Sequence, residues 1–130
     1  MSEYEIKTMV KENDGHSYTR HFYLSDNLGI VDHKEDGPAV IVVDKFDGVT
    51  TEYWYHHGQL HRLDGPAVVE TIDRDEDGKR VQRKHEQFYV NGRHRQDIEY
   101  VLHAKGITAE NWKEMAAAYL ELEKNSTRNS

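Results

Sequence analysis

The hydrophobic and polar positions of the chain follow two different periods, and the change falls near residue 97. Before it, short segments rich in β-branched and aromatic residues alternate with Gly-containing turns, which is typical of β-strands. At the N-terminus, Tyr4, Ile6, Thr8 and Val10 alternate with mostly charged residues, so we predict a half-buried strand there. The larger part of the chain is therefore predicted to form antiparallel β-sheet.

From Asp97 onward, apolar residues recur three and four positions apart, as on one face of an α-helix. Asp97 is a candidate N-cap and Gly106 a candidate C-terminal glycine of a first helix, and Thr108 is a candidate N-cap of a second. The apolar faces that this spacing predicts comprise Ile98, Val101, Leu102, Trp112, Met115, Ala116, Tyr119 and Leu120. We therefore predict an αα-hairpin over 97–124 that packs on the sheet, and a flexible tail over 125–130.

The predicted sheet contains an internal repeat, because segments 14–43, 47–72 and 77–97 align with one another. Each segment has Asp-Gly, an aromatic pair, a turn with glycine, and the pattern His-x-x-Asp. In this pattern the Asp can accept backbone N–H groups, the Gly can take a positive φ, and the Pro can begin the next strand. The residues that we assign to this structural turn motif are His33, Asp36, Gly37, Pro38, His61, Asp64, Gly65, Pro66, His94 and Asp97.

These patterns predict an α+β fold that is mainly β, in a single domain. A length of 130 residues suits one domain with a modest core. We expect an antiparallel, twisted sheet of about six to eight strands over 1–96, built from repeated hairpins. The helical hairpin ends the sheet, so the last repeat lacks the Gly-Pro-Ala that follows the motif in the first two.

The segment around Trp54 resembles a MORN repeat, a β-hairpin unit, through Trp54, Tyr55, Gly58 and His61. Its Asp-Gly-Pro-Ala continuation is similar to a variant in small uncharacterised bacterial and phage proteins. Arg62 is a departure, because MORN repeats have glycine after the histidine. The resemblance spans 14–97 and implies a single-layer antiparallel sheet that binds proteins, or in some cases lipids, and it implies no chemistry.

Composition excludes several classes of site. The chain has no cysteine, so it has no disulfide, no thiolate nucleophile and no cysteine-rich zinc site. A formal net charge of −7 disfavours non-specific binding to nucleic acid, which needs a basic surface. There is no apolar run long enough to span a bilayer and no signal peptide, so we expect a cytoplasmic protein, in the host cytoplasm if it is phage-encoded.

Nine histidines raise the questions of catalysis and of metal binding. A His-Asp pair is two parts of a hydrolytic triad, but the sequence has no motif for the third part, an activated nucleophile. A motif that recurs at intervals also favours a structural role, so we predict no enzymatic activity. His33, His61 and His94 should form a ladder with neighbours roughly 9–10 Å apart, too far to share one ion. We therefore predict no cofactor and no native metal site, although pairs within one repeat, such as His56 with His57 or His61 with Asp64, could bind a metal weakly. We expect each ring to donate to its own turn, for instance to the Asp.

Binding to another protein remains the function that we predict, with the chain acting as an inhibitor or adaptor on a host or defence protein. Adjacent strand residues face opposite ways, so Phe22, Trp54 and Phe88 should share one face and the tyrosines after them the other. Candidate partner-binding residues are Tyr23, Tyr55, His57, Arg62, Arg83, Lys84, Tyr89, Arg93 and Arg95. The alternatives are nucleic-acid binding by the basic third repeat and self-association through sheet edges.

Overall fold

We describe the fold from a computed structural model, which defines residues 7–12, 17–26 and 29–128. Within these ranges the protein is mainly antiparallel β-sheet, followed by two helices, which confirms the predicted α+β, mainly β fold. Tyr4 and Ile6 of the predicted first strand, and the turn after that strand, lie outside the described residues.

The main sheet has seven strands in the described part of the chain, and two short hairpins lie beside it. Its strands are β1 (Lys7–Glu12), β2 (Ser17–Asp26), β3 (Gly29–Asp32), β4 (Val40–Asp44), β5 (Val49–Tyr53), β8 (Val68–Glu76) and β9 (Lys79–Gln87). The short hairpins are β6 (Tyr55–His56) with β7 (Gln59–Leu60), and β10 (Tyr89–Val90) with β11 (Arg93–His94). The spatial order is β1-β2-β4-β5-β8-β9, and β3 pairs with the second half of β2.

Three long strand segments run from the main sheet into three hairpins. The first half of β2 pairs with β4 in the main sheet, and its second half pairs with β3. In the same way, β5 continues through Trp54 into β6, and β9 continues through Phe88 into β10. Where the chain passes from the main sheet into a hairpin, the Phe22 N–H donates to the Ala39 carbonyl and the Trp54 N–H to the Ala67 carbonyl, both at 2.7 Å. The hairpins β2/β3, β6/β7 and β10/β11 are called here the first, second and third hairpin.

Backbone hydrogen bonds join the three hairpins side by side into what we call the hairpin row. Between the first and second hairpins, the Gly58 N–H donates to the Asp32 carbonyl and the Lys34 N–H to the Tyr55 carbonyl. Between the second and third hairpins, the Gly92 N–H donates to the Leu60 carbonyl and the Arg62 N–H to the Tyr89 carbonyl. The turn residues His57 and Asn91 have φ of 50° and 48°, and a glycine follows each. Two left-handed residues in succession form the tight turn that matches the strand twist, as the Asn-Gly sequence predicts.

The helices pack against the end of the hairpin row. They are α1 (Arg95–Ala104) and α2 (Trp112–Arg128), so α2 continues four residues beyond the predicted 97–124 segment into the predicted tail. The buried core that they form with the third hairpin comprises Val90, Ile98, Leu102, Trp112, Met115, Ala116 and Tyr119. These residues include most of the predicted apolar faces.

Two of the predicted helix caps are wrong. His94 caps α1, since its ring accepts the N–H of Gln96 at 3.2 Å, and Asp97 lies in the first turn. The third hairpin ends at His94 and the chain enters the helix at once, so no residue is left for a later cap. Asn111 rather than Thr108 precedes α2, and its side chain accepts the Glu114 N–H at 2.9 Å. Gly106, with φ of 73°, follows the C-cap as predicted.

The middle of the sheet is one layer thick. Apart from Val40 and Val69, every side chain of β4, β5 and β8 is at least partly exposed. The helices contact the third hairpin at the end of the row and do not cover this part of the sheet as a second layer. Within residues 7–12, 17–26 and 29–128, no second layer therefore covers the faces of β4, β5 and β8.

Candidate functional site

Two histidines of the turn motif join neighbouring hairpins through their rings. His33 is 2% exposed, and its Nδ1 accepts the N–H of His57 at 2.9 Å. His61 repeats the contact one hairpin further, accepting the N–H of Asn91 at 3.0 Å. Each ring was expected to donate within its own turn, and His33 Nε2 does so, to Glu35 rather than to the Asp of the motif, whereas the Nδ1 atoms of His33 and His61 accept from the next hairpin. The tight turn of the following hairpin points its first N–H at the ring, which makes the ring an acceptor.

Each hairpin also places a cation over an aromatic ring. The pairs are Lys34 Nζ at 4.0 Å from the Phe22 ring centroid, Arg62 Cζ at 3.8 Å from that of Trp54, and Arg95 Cζ at 5.2 Å from that of Phe88. The three aromatic residues thus have equivalent surroundings, as expected for residues that share a face. Such stacking contributes about 0.5–1 kcal/mol at exposed sites.

Arg62 and Arg95 are bound within the protein, although both were predicted to bind a partner. Arg62 Nε lies 3.0 Å from the Asp64 carboxylate, and its Nη1 donates to the Pro66 carbonyl at 3.1 Å. Arg95 Nε donates to Glu99 at 2.8 Å. These contacts position the loop after the second hairpin and the start of α1, and they restrict both side chains.

A cleft of about 540 Å³ separates the loops that follow the first two hairpins. Residues 34–36 and 61–64 line it, together with Trp54 and His56. A hydrogen bond to His33 is the main cause that lowers the pKa of Glu35, and one to Arg62 lowers that of Asp64. The cleft therefore keeps carboxylates of both loops charged at neutral pH, beside the bound Arg62 guanidinium.

A histidine cluster lies where the first two hairpins meet. The ring centroids of His33, His56 and His57 are 4.4 to 4.6 Å apart, and one ring nitrogen from each lies within 4.8 Å of the others. One Glu35 oxygen is 2.8 Å from His33 Nε2 and the other is 3.4 Å from His56 Nε2. The predicted ladder separates equivalent histidines of different repeats, whereas this cluster combines His33 with the turn of the next hairpin.

The candidate partner-binding residues fall on two separate surfaces. Tyr23, Tyr55, Tyr89, His57 and Arg93 belong to the hairpin row, where the tyrosines are half-buried and burial is the main cause that raises the pKa of Tyr55. Arg83 and Lys84 are exposed on β9, far along the main sheet, opposite Ile72 and Thr71 of β8. The structure therefore does not bring the predicted set together into one site.

Acid is expected to weaken the link between the second and third hairpins. Burial first, and the neighbouring His56 second, lower the pKa of His61. The unfolded chain then binds the proton more readily, so this stability is complete above about pH 6.5 and is lost as the pH falls through that value towards the lower folded pKa. We expect the urea midpoint of unfolding to fall between about pH 7.5 and about pH 5.5.

The variant His61→Asn tests the source of that pH dependence. An asparagine oxygen can accept the Asn91 N–H in place of Nδ1 and does not titrate. The midpoint of the variant should therefore fall less over the same range of pH. An equal fall in both proteins would show that His61 is not the source of the dependence.

A comparison of the chain with protein families, with curated proteins and with solved structures found no match. Among the described residues, no helix is long and apolar enough to cross a membrane. The interpretation of the site therefore rests on its own geometry.

Proposed function

We propose that the protein is a non-enzymatic protein-binding module, which pairs the free edge of β9 with an extended acidic segment of a partner. The observation that carries the proposal is a nine-residue edge strand whose side chains are all exposed except Val81. In the described part of the chain, β9 pairs with β8 alone. Such an edge offers a row of unpaired N–H and C=O groups to an added strand.

Charge favours an acidic partner over a second copy of the chain. Lys79, Arg80, Arg83 and Lys84 all lie on β9 against a single carboxylate, Glu86, so pairing of two such edges would bring mostly like charges together. Arg80 is bound to Asp73 at 2.9 Å, whereas Arg83 and Lys84 form no ion pair within the described residues. Since these two lie on opposite faces, they can contact acidic side chains on both faces of an added strand.

Nucleic acid fits this strand less well. The neighbouring strand β8 carries Asp73, Asp75 and Glu76, directly opposite Gln82, Arg80 and Lys79. A phosphate backbone laid along β9 would approach these carboxylates, and the whole chain has a net charge of −7. A peptide strand instead satisfies the edge with backbone hydrogen bonds, which do not depend on a basic field. Action on a host or defence protein, and a cytoplasmic location, stay predictions.

The proposal is tested with a labelled peptide of about eight residues in which adjacent pairs of glutamates and of valines alternate, so that glutamates lie on both faces of the added strand. Fluorescence anisotropy at about 150 mM salt should detect binding. N-methylation of alternate amides of the peptide, which removes its donors and leaves its side chains, should weaken binding about tenfold or more. Arg83→Glu with Lys84→Glu should weaken it as much, because both new charges repel the peptide.

Matched controls separate edge pairing from general charge. Lys45→Glu with Lys113→Glu makes the same change in charge at exposed sites away from β9 and should leave binding unchanged. Equal affinity for the N-methylated peptide would contradict strand addition. Tighter binding of an oligothymidine that is lost in the Arg83 and Lys84 variant would favour the nucleic-acid alternative instead.

A further inference from the structure

The histidine cluster at the junction of the first and second hairpins has the chemistry of a metal site. Although the sequence predicted no metal, we propose that His56, His57 and Glu35 bind a divalent transition-metal ion of the zinc class. His33 acts as a positioning residue behind them. Imidazole and carboxylate ligands suit zinc, and also nickel and copper.

The distance between His56 and Glu35 fits a tetrahedral ion, whereas ring nitrogens of the two histidines lie only within 4.8 Å of each other. Zinc bonds to histidine nitrogen and carboxylate oxygen are about 2.0–2.2 Å, which places neighbouring ligand atoms about 3.3–3.5 Å apart. His56 Nε2 and the nearer Glu35 oxygen are 3.4 Å apart. A ring nitrogen of His57 lies within 4.8 Å of one of His56, and His57 is exposed at the tip of a turn. Drawing the two histidine nitrogens together to the tetrahedral separation completes a three-ligand set, with the His57 ring staying beside His33 and His56.

His33 holds this set in place and does not bind the ion itself. Its Nδ1 accepts the His57 N–H at 2.9 Å, so in the neutral ring the proton is on Nε2, which donates to Glu35 at 2.8 Å. Both nitrogens are thus used, and no lone pair remains for a metal. The ring fixes the backbone of one ligand and the carboxylate of another, as outer-shell partners do in metal sites.

The hairpin fold does not require these ligands. In the third hairpin the residues that correspond to His56 and His57 are Val90, which is fully buried, and Asn91, whose φ of 48° matches the 50° of His57. Both turns have the same geometry, and the same N–H bond to a ring, with different side chains. The histidine pair is therefore an addition to the fold rather than a condition for it.

The ion would border the cleft and be reached from solvent. The side chains of His56 and Glu35 are 38% and 66% exposed, and both line the cleft. Three protein ligands leave a tetrahedral ion one position for water or for a group of a bound molecule. This open position distinguishes the site from a closed structural one.

The chain itself supplies the variants for the test. His56→Val and His57→Asn introduce the residues of the third hairpin, and Glu35→Leu introduces the residue at the corresponding position, Leu63, of the second unit. The full chain, freed of metal with EDTA, is titrated with zinc chloride at about pH 7.5 by calorimetry, because metal binding competes with protons for the ligands. Thermal unfolding of each variant checks that the fold is kept.

We expect one zinc ion per chain, bound about tenfold or more weakly after Glu35→Leu or His57→Asn, and not detectably after His56→Val with His57→Asn. His85→Asn with His103→Asn removes two exposed histidines elsewhere and should bind as the unaltered chain does. The proposal is overturned if the unaltered chain binds no zinc, or if the paired His56 and His57 variant binds it as tightly.

Cobalt absorption separates positioning from ligation at residue 33. His33→Asn keeps an acceptor for the His57 N–H but cannot donate to Glu35 from the same point. It should bind cobalt about tenfold or more weakly, with the visible bands of tetrahedral coordination retained, because the three ligands are unchanged. Loss of those bands at full cobalt loading would make His33 a ligand and overturn its assigned role.

Discussion

The substitution His33→Ala is expected to lower the free energy of unfolding by about 3–5 kcal/mol. The ring is 2% exposed, and its removal leaves a cavity between the first and second hairpins. It also takes away the acceptor of the His57 N–H and the donor to Glu35. The His57 amide that loses its partner is only part-buried, so its cost lies at or below the low end of the roughly 1–3 kcal/mol for a buried amide, and the cavity dominates the loss.

Urea unfolding followed by circular dichroism measures the loss, and two further variants separate its causes. His33→Asn should lose less than His33→Ala, since its oxygen can still accept the His57 N–H. His85→Ala removes an exposed histidine of β9 and should change the free energy of unfolding by less than about 0.5 kcal/mol. Equal losses in the His33→Ala and His85→Ala variants would show that the buried ring does not join the hairpins.

Local sequence patterns predicted the elements that depend on local physics. The tight turn at Asn91 follows from a dipeptide that adopts two successive positive φ angles at low cost. The aromatic residues Phe22, Trp54 and Phe88 have equivalent surroundings because neighbours on a strand must face opposite ways. Most of the predicted apolar face of both helices is buried, because residues three and four positions apart lie on the same side of a helix.

The helix caps failed because a cap depends on where the preceding element ends. Asp97 and Thr108 have suitable side chains, but the third hairpin closes at His94, and that ring reaches the N–H of Gln96 first. Asn111 lies closer to the start of α2, at the position from which a side-chain oxygen reaches the Glu114 N–H. The sequence does not show where a two-residue strand such as β11 ends. It therefore does not show which residue caps the helix that follows.

The histidine cluster was missed because it depends on the stagger between hairpins. His33 is separated by 24 positions in sequence from the N–H that it accepts, which belongs to His57. In the predicted ladder, the equivalent histidines of successive repeats lie too far apart to touch. In the structure, the end of one hairpin lies over the turn of the next, so His33 meets the turn that contains His57. The one signal in the sequence was the His-His pair in a turn where the third repeat has Val90-Asn91.

The substitution Ile98→Ala is expected to lower the free energy of unfolding by about 3 kcal/mol, within the range for buried isoleucines. Ile98 is fully buried on α1, in the core formed by Val90 of the third hairpin and by Trp112 and Met115 of α2. Three elements meet there, so the cavity has little room to collapse. Tyr100→Ala, on the same helix, removes a side chain that is 78% exposed and should cost far less.

The same variant tests whether the helices and the hairpin row unfold together. The Trp112 indole donates to the Arg62 carbonyl at 2.9 Å, and Asn91 of the third hairpin donates to Glu123 of α2 at 3.1 Å, so polar contacts also join the two parts. Far-UV circular dichroism follows the helices, and fluorescence in a Trp112→Phe background follows Trp54 in the row. If Ile98→Ala shifts both transitions by the same amount, the core at the third hairpin stabilises the whole row. A shift of the helical signal alone would show that the row is stable without its helical end, through the rings of His33 and His61.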